Sequence, residues 1–160
     1  MADTRPTVWV SQPLIDAAIA PLRDRVQLRS TDTVTAWSPD QIAKQLASAD
    51  GAIITLNERI GAAQVSGAAQ LQVIANVGVG YNNLDVDALS AAGILASNTP
   101  DVLTETTADL GFAMLMATAR RITESERWLR EGQWQQWSFQ TMLGADIHGS
   151  TLGILGILLP

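Results

Sequence analysis

The residues with the clearest chemical potential lie in Leu71–Asp87. There an apolar run of Leu71, Val73, Ile74, Ala75 and Val77 leads into Gly78-Val79-Gly80 and then Tyr81-Asn82-Asn83. An apolar run of this length reads as a buried strand. Glycines at its end let the backbone turn sharply and come close to a ligand. A phosphate cradle of the G-x-G-x-x-G type needs a third glycine where this chain has Asn83, and Asp85 and Asp87 follow, whose charges repel a pyrophosphate. A plain structural turn is the second reading. The third is a loop whose exposed backbone N–H groups hold a small anion such as a carboxylate. The loop by itself leaves these open.

Other candidates carry less. The lone histidine, His148, sits beside Gly149 without a placed carboxylate partner, and such a histidine is more often structural than a general base. The acidic residues are scattered with no metal-ligand spacing, and the absence of cysteine removes disulfides, thiolate metal sites and thiol nucleophiles. Near the end, Ser150-Thr-Leu-Gly-Ile-Leu-Gly156 begins like a buried strand feeding a dinucleotide fingerprint. Leu158 stands at the place of the second glycine, so the fingerprint is not completed.

The elements that must position the glycine loop follow from periodicity and turn chemistry. Strands are expected at Thr7–Val10, Val26–Leu28, Ala52–Leu56, Leu71–Val77 and Ile94–Ala96, the fourth ending at the loop. Helices are expected from Ser11-Gln-Pro13 to Leu22, over Gln41–Ala49 behind Ser38-Pro39-Asp40, over Gly61–Ala69, and over Val86–Ala92 stopped by Gly93. This alternation predicts an α/β domain with a doubly wound parallel sheet of five strands, a flavodoxin-like order being the natural choice under the right-handed crossover rule. No sequence argument fixes the strand order itself.

Beyond Asn98-Thr-Pro-Asp101 the character changes. Leu103, Leu110, Phe112, Ala113, Met114, Leu115 and Met116 spread round most of a long helix over Val102–Ala119, which residues 122–131 are expected to continue. A helix apolar nearly all round is buried on more than one side, and in a chain this small one side should be another subunit, the other reading being a central core helix of a monomer. Gln133–His148 then crowds Trp134, Trp137, Phe139 and Met142 into a nonrepetitive loop, where aromatics need a surface to cover.

Composition sets the outer bounds. At 160 residues the chain is one domain, or one domain and part of another, and 47% hydrophobic content suffices for a real core. The net charge of −6, with no basic run, argues against a nucleic-acid partner. No signal-peptide pattern and no span of ~20 apolar residues is present, so no membrane partner is expected and the simplest location is cytoplasmic.

Three blocks in order, Asn76-Val-Gly-Val-Gly-Tyr-Asn-Asn-Leu-Asp-Val-Asp87, Asn98-Thr-Pro-Asp-Val-Leu-Thr-Glu-Thr-Thr-Ala-Asp-Leu110 and Gly149-Ser-Thr-Leu-Gly-Ile-Leu-Gly156, closely resemble the D-isomer-specific 2-hydroxyacid dehydrogenases, especially their glyoxylate/hydroxypyruvate reductase branch. The resemblance spans nearly the whole chain but only the N-terminal half of a family member. It implies a substrate-binding domain over residues 1–98, a linking and dimerisation segment over 99–149, and the truncated first strand of a Rossmann NAD(P)-binding domain over 150–160. It also implies that Val79 and Gly80 offer backbone N–H groups to the carboxylate of a small 2-oxo acid, and that Leu56 covers that substrate. Val79 and Thr107 would lie against the nicotinamide end of NAD or NADP. Trp137 matches the aromatic sent across a homodimer towards the neighbouring active site. The family's carboxylate-clamping Arg and Glu-polarised His belong to its C-terminal half, and His148 is not at that position. No catalytic residue is therefore expected on this chain, which should be inactive alone and should not bind the cofactor. The alternative is a non-catalytic module for small-carboxylate binding and dimerisation. NAD versus NADP, and the choice of 2-oxo acid, are open.

Overall fold

A computed structural model describes residues 4–156. They divide into two compact units at the Asp101–Val102 junction. The first is an α/β unit built on a five-stranded, all-parallel sheet. Its strands are β1 (Thr7–Val10), β2 (Gln27–Arg29), β3 (Gly51–Thr55), β4 (Val73–Val77) and β5 (Leu95–Ser97), in the order β2-β1-β3-β4-β5. The helices are α1 (Asp16–Ile19, followed by a 3-10 turn over Ala20–Leu22), α2 (Pro39–Ala47), α3 (Ala62–Val65) and α4 (Val86–Ala91). The alternation read from sequence is therefore present, with boundaries moved. The helix expected from Ser11 begins only at Asp16, because Ser11 and Gln12 are drawn into the site network described below.

Local chemistry explains the better-formed helices. Ser38 caps α2, its hydroxyl accepting from Gln41 N–H while the Gln41 side chain accepts from Ser38 N–H, and Pro39 fills the first turn. Ile42 and Leu46, one turn apart, face inward. Asp85 caps α4 by accepting from Ala88 N–H, and Gly93 ends the segment in the left-handed region at φ +71°. With Val65 of α3 and Leu89 of α4, these residues pack on Trp9, Ala52, Ile54 and Ile74 to form the core. Fully burying a side chain such as Leu46, Ile54 or Ile74 stabilises the fold by about 1.5–3 kcal/mol. The strand expected to be buried throughout, β4, is covered on one face only. Ile74 and Asn76 are buried, whereas Val73 and Val77 on the opposite face are exposed, because the buried residues of α2, α3 and α4 join the core on the Ile74 face.

The carboxyl ends of β1 and β3 are joined by a buried carboxylate. Glu58, only 2% exposed, accepts from Ser11 Oγ (2.7 Å), Gln12 Nε2 (2.8 Å), Thr55 N (2.8 Å) and Thr55 Oγ1 (2.9 Å). Burial raises its pKa, but the bonds from Gln12, Ser11 and Thr55 outweigh that and leave it below the ordinary 4.5.

The second unit contains α5 (Thr104–Ala119) and α6 (Ile122–Arg130). The single long helix expected here is broken. Ala145 N–H takes the Ala119 carbonyl (2.8 Å), and Arg121 turns left-handed at φ 54°. Arg121 is held there by a bidentate pair with Glu124 (2.6 and 2.7 Å) and a bond to the Leu143 carbonyl. Gly144 is required by this closure, since a Cβ on it would lie 2.5 Å from the Ala119 oxygen. Neither helix has a buried residue, and Leu110, Phe112 and Met114 are all more than half exposed. Residues 151–156 form no strand and are exposed, contrary to the expected start of a buried strand. No neighbouring strand pairs their backbone among the described residues. The remainder of that expected element, residues 157–160, lies outside the described residues. No described helix is long and apolar enough to cross a membrane.

Because the folded pKa of Glu58 is depressed, its contribution is complete above the unfolded value of 4.5 and disappears as pH falls through the lower folded value. Glu58→Gln keeps the shape but turns an N–H₂ group onto donors, and it should cost about 3 kcal/mol at neutral pH. Urea denaturation of both proteins should show the gap narrowing below about pH 4.5. A gap independent of pH contradicts this role.

Candidate functional site

Three loops meet at the carboxyl edge of the sheet, where open parallel sheets bind ligands. They follow β3 (Leu56–Ile60), β4 (Gly78–Asp85) and β5 (Asn98–Asp101). The first two are zipped together by Ile60 N–H to the Asn83 carbonyl and Asp85 N–H to the Ile60 carbonyl, both 2.8 Å. Buried Ile60 and Leu84 seal the join from below.

Asn83, at the position of the missing third glycine, is 6% exposed. Its amide nitrogen donates to the carbonyls of Thr55 (3.2 Å) and Glu58 (3.0 Å) and to Asn76 Oδ1 (3.2 Å). Asn76 Nδ2 returns a bond to Asn83 Oδ1 (3.4 Å) and donates to the Gly80 carbonyl (2.9 Å). The N-terminus of α4, where a pyrophosphate would sit, is already occupied by the Asp85 carboxylate. The phosphate-cradle reading fails on both counts. Among the described residues, nothing else forms a glycine-rich turn between a strand and a helix. The described residues thus present no glycine-rich dinucleotide seat.

What the loop does offer is amides. The Gly78, Val79 and Gly80 carbonyls accept from Thr99 N–H (2.9 Å), Asn98 Nδ2 (2.8 Å) and Asn76 Nδ2 (2.9 Å). The Val79 and Gly80 N–H groups have no acceptor among the described residues. Tied carbonyls and free amides make an anion-binding backbone. Leu56 leans over this loop. Its side chain is 50% exposed, and a Cβ on Gly78 would lie 2.6 Å from Leu56 Cδ2. At Gly80, by contrast, a Cβ would only come into ordinary contact with Asn82 Oδ1 at 3.4 Å.

The structure therefore brings Leu56, Val79 and Gly80 together. Thr107 and Trp137 belong to the second unit and are described there. Thr107 is exposed in the first turn of α5, its N–H bonded to the Leu103 carbonyl at 2.9 Å. Trp137 is 69% exposed, stands edge-on to Phe139 at 4.3 Å, and lines a cavity of about 500 Å³ with Trp128, Trp134 and Met142. His148 and Asp146 are 3.9 Å apart and both exposed, too far for a hydrogen bond that would orient the imidazole. No metal-binding group of acidic, His or Cys side chains occurs among the described residues. Sequence reasoning missed Ser11, Gln12, Glu58, Asn76 and Asn98. The available signal was the set of hydroxyl, amide and carboxylate side chains at or just after strand ends.

Gly78→Ala should drive Leu56 away and cost about 1–3 kcal/mol by overpacking. Adding Leu56→Ala should recover most of that loss in thermal denaturation. A strictly additive double mutant contradicts the packing of Leu56 on Gly78.

The chain is similar to known proteins over most of its length. Residues 8–149 match the family model described as the D-isomer specific 2-hydroxyacid dehydrogenase catalytic domain. A glyoxylate reductase of Pyrococcus horikoshii is 34% identical over 157 residues, 96% of this chain and 47% of that protein. One from Korarchaeum cryptofilum is 37% identical over 96% of this chain and 46% of its own length. The crystal structure of the TT0316 protein from Thermus thermophilus superposes with a TM-score of 0.84 at 35% identity, covering 89% of this chain and 46% of that one. An NADPH-dependent glyoxylate/hydroxypyruvate reductase from Sinorhizobium meliloti, solved with citrate, gives 0.70 at 26% identity over 93% and 45%. The chain spans about half the length of the curated relatives it matches. It belongs to the D-isomer specific 2-hydroxyacid dehydrogenase family.

Proposed function

We propose that this chain is the N-terminal, substrate-binding part of an NAD(P)-dependent D-2-hydroxyacid dehydrogenase of the glyoxylate/hydroxypyruvate reductase type, which reduces a small 2-oxo acid to the 2-hydroxy acid. The observation that carries the reading is the loop 78–80, whose carbonyls are all held and whose Val79 and Gly80 amides have no acceptor among the described residues. A carboxylate accepting from both receives charge-assisted bonds, and Leu56 shields it from water. The S. meliloti reductase, solved with malonate and with citrate, supports a carboxylate as the ligand class. When bound, the nicotinamide cofactor supplies the hydride. The chain's own share is to bind and orient the acid.

In this reading residues 1–98 are a flavodoxin-like substrate domain, 99–149 link and dimerise, and 150–160 begin the NAD(P) domain. Val79 and Thr107 lie against the nicotinamide, and Trp137 reaches towards the partner's site. The dimer is supported by α5, which has no fully buried residue and leaves Leu110, Phe112 and Met114 exposed among the described residues. The second reading is a carboxylate-binding and dimerising module without catalysis.

Glyoxylate titrated into the chain by calorimetry should give saturable heat in the millimolar range, whereas an absence of heat contradicts the carboxylate reading. The same preparation should oxidise no NADPH with glyoxylate above background under either reading. Turnover would show that the described residues suffice for the reaction and overturn the assignment of substrate binding alone. Sedimentation should give a dimer that Leu110→Glu with Met114→Glu reduces to monomer. A wild-type monomer refutes the dimer assignment.

A further inference from the structure

We propose that the Tyr81 N–H is a third donor of the carboxylate seat, and that Asn98 and Asn76 are positioning residues, each aiming one amide of it. The ligand class rests on the carboxylate reading above; the aiming of the amides does not.

The argument is one of peptide geometry. No peptide bond in the described chain is cis. In a trans peptide, the carbonyl of one residue and the N–H of the next share a plane and point in opposite directions. Whatever holds a carbonyl therefore aims the following amide. Thr99 N–H on the Gly78 oxygen (2.9 Å) aims the Val79 N–H. Asn98 Nδ2 on the Val79 oxygen (2.8 Å) aims the Gly80 N–H. Asn76 Nδ2 on the Gly80 oxygen (2.9 Å) aims the Tyr81 N–H, which has no acceptor among the described residues.

The three tethers differ in kind. The first comes from main chain, so it is insensitive to side-chain identity at 99. The second is a single side-chain bond from a half-buried asparagine. The third comes from Asn76, 1% exposed and itself fixed by reciprocal bonds to Asn83 at 3.4 and 3.2 Å. Since Asn83 also holds the Thr55 and Glu58 carbonyls, the Tyr81 amide is tied to the end of β3 through side chains alone. A carboxamide is needed at both positions. Asp presents only acceptors and Ala presents nothing, and either releases a peptide unit that is otherwise soft in φ and ψ.

The test uses the ¹⁵N-labelled 160-residue chain. Residual dipolar couplings measured without ligand should change at Gly80 in Asn98→Ala while the couplings of β3, β4 and Val79 stay fixed. An unchanged Gly80 coupling overturns the role of Asn98. Titration with oxalate should shift Val79, Gly80 and Tyr81 together. Asn98→Ala should weaken binding roughly tenfold, the loss expected for one hydrogen bond to a charged group, with the Gly80 response reduced most. Shifts at Val79 and Gly80 with Tyr81 silent overturn the third donor. Asn76→Ala should silence Tyr81 selectively. If that variant does not fold, the wild-type Tyr81 shift still decides. No response at any of the three amides overturns the carboxylate reading and the third donor together, while the couplings still judge Asn98 separately.

Discussion

The structure depends on satisfying buried polar groups at the carboxyl edge of the sheet. Glu58, Asn76 and Asn83 are each almost fully enclosed, and each unmet bond there would cost about 1–3 kcal/mol. Their partners are strand ends and loop backbones: Ser11 and Gln12 after β1, Thr55 at the end of β3, Gly80 after β4. One network thus fixes loops that hydrophobic packing alone would leave to choose among conformations. A buried network that is completely satisfied specifies one arrangement of these loops.

From that constraint the loop's chemistry follows. With its carbonyls held from behind, Gly78-Val79-Gly80 presents amides, and amides attract anions. The loop that looks like a broken phosphate cradle is organised differently from one. Its third glycine position is a buried cross-link, and the neighbouring helix N-terminus is closed by its own Asp85. Leu56 lends an apolar cover on one side, and Gly78 exists to admit it.

Much of this was legible in the sequence, and the parts that were not share a cause. Strand and helix alternation shows in Thr7–Val10, Ser38-Pro39 and Val86–Gly93 because period, caps and glycine stops are local signals. The glycine loop and Leu56 were visible as candidates from the apolar run and the family resemblance. Glu58 read only as part of a loop, since its partners Ser11 and Gln12 lie 47 and 46 residues away and local pattern carries no trace of that meeting. The break at Arg121 was hidden for the same reason. It is made by Gly144 and Ala145 arriving at the end of α5, whereas the local sequence favours a continuous helix. The exposed outer face of β4 is not legible because the apolar residues Val73, Ile74, Ala75 and Val77 lie on both faces and read as a buried strand, whereas only the placement of helices decides it.

The central claim is that the loop after β4 seats a carboxylate on its backbone amides. A crystal structure of the chain with bound oxalate tests it most directly. The account predicts a carboxylate oxygen within about 3 Å of both the Val79 and Gly80 nitrogens, with Leu56 against the ligand and the Asn98–Val79 bond intact. Oxalate bound elsewhere, with those two amides facing only solvent, would contradict it.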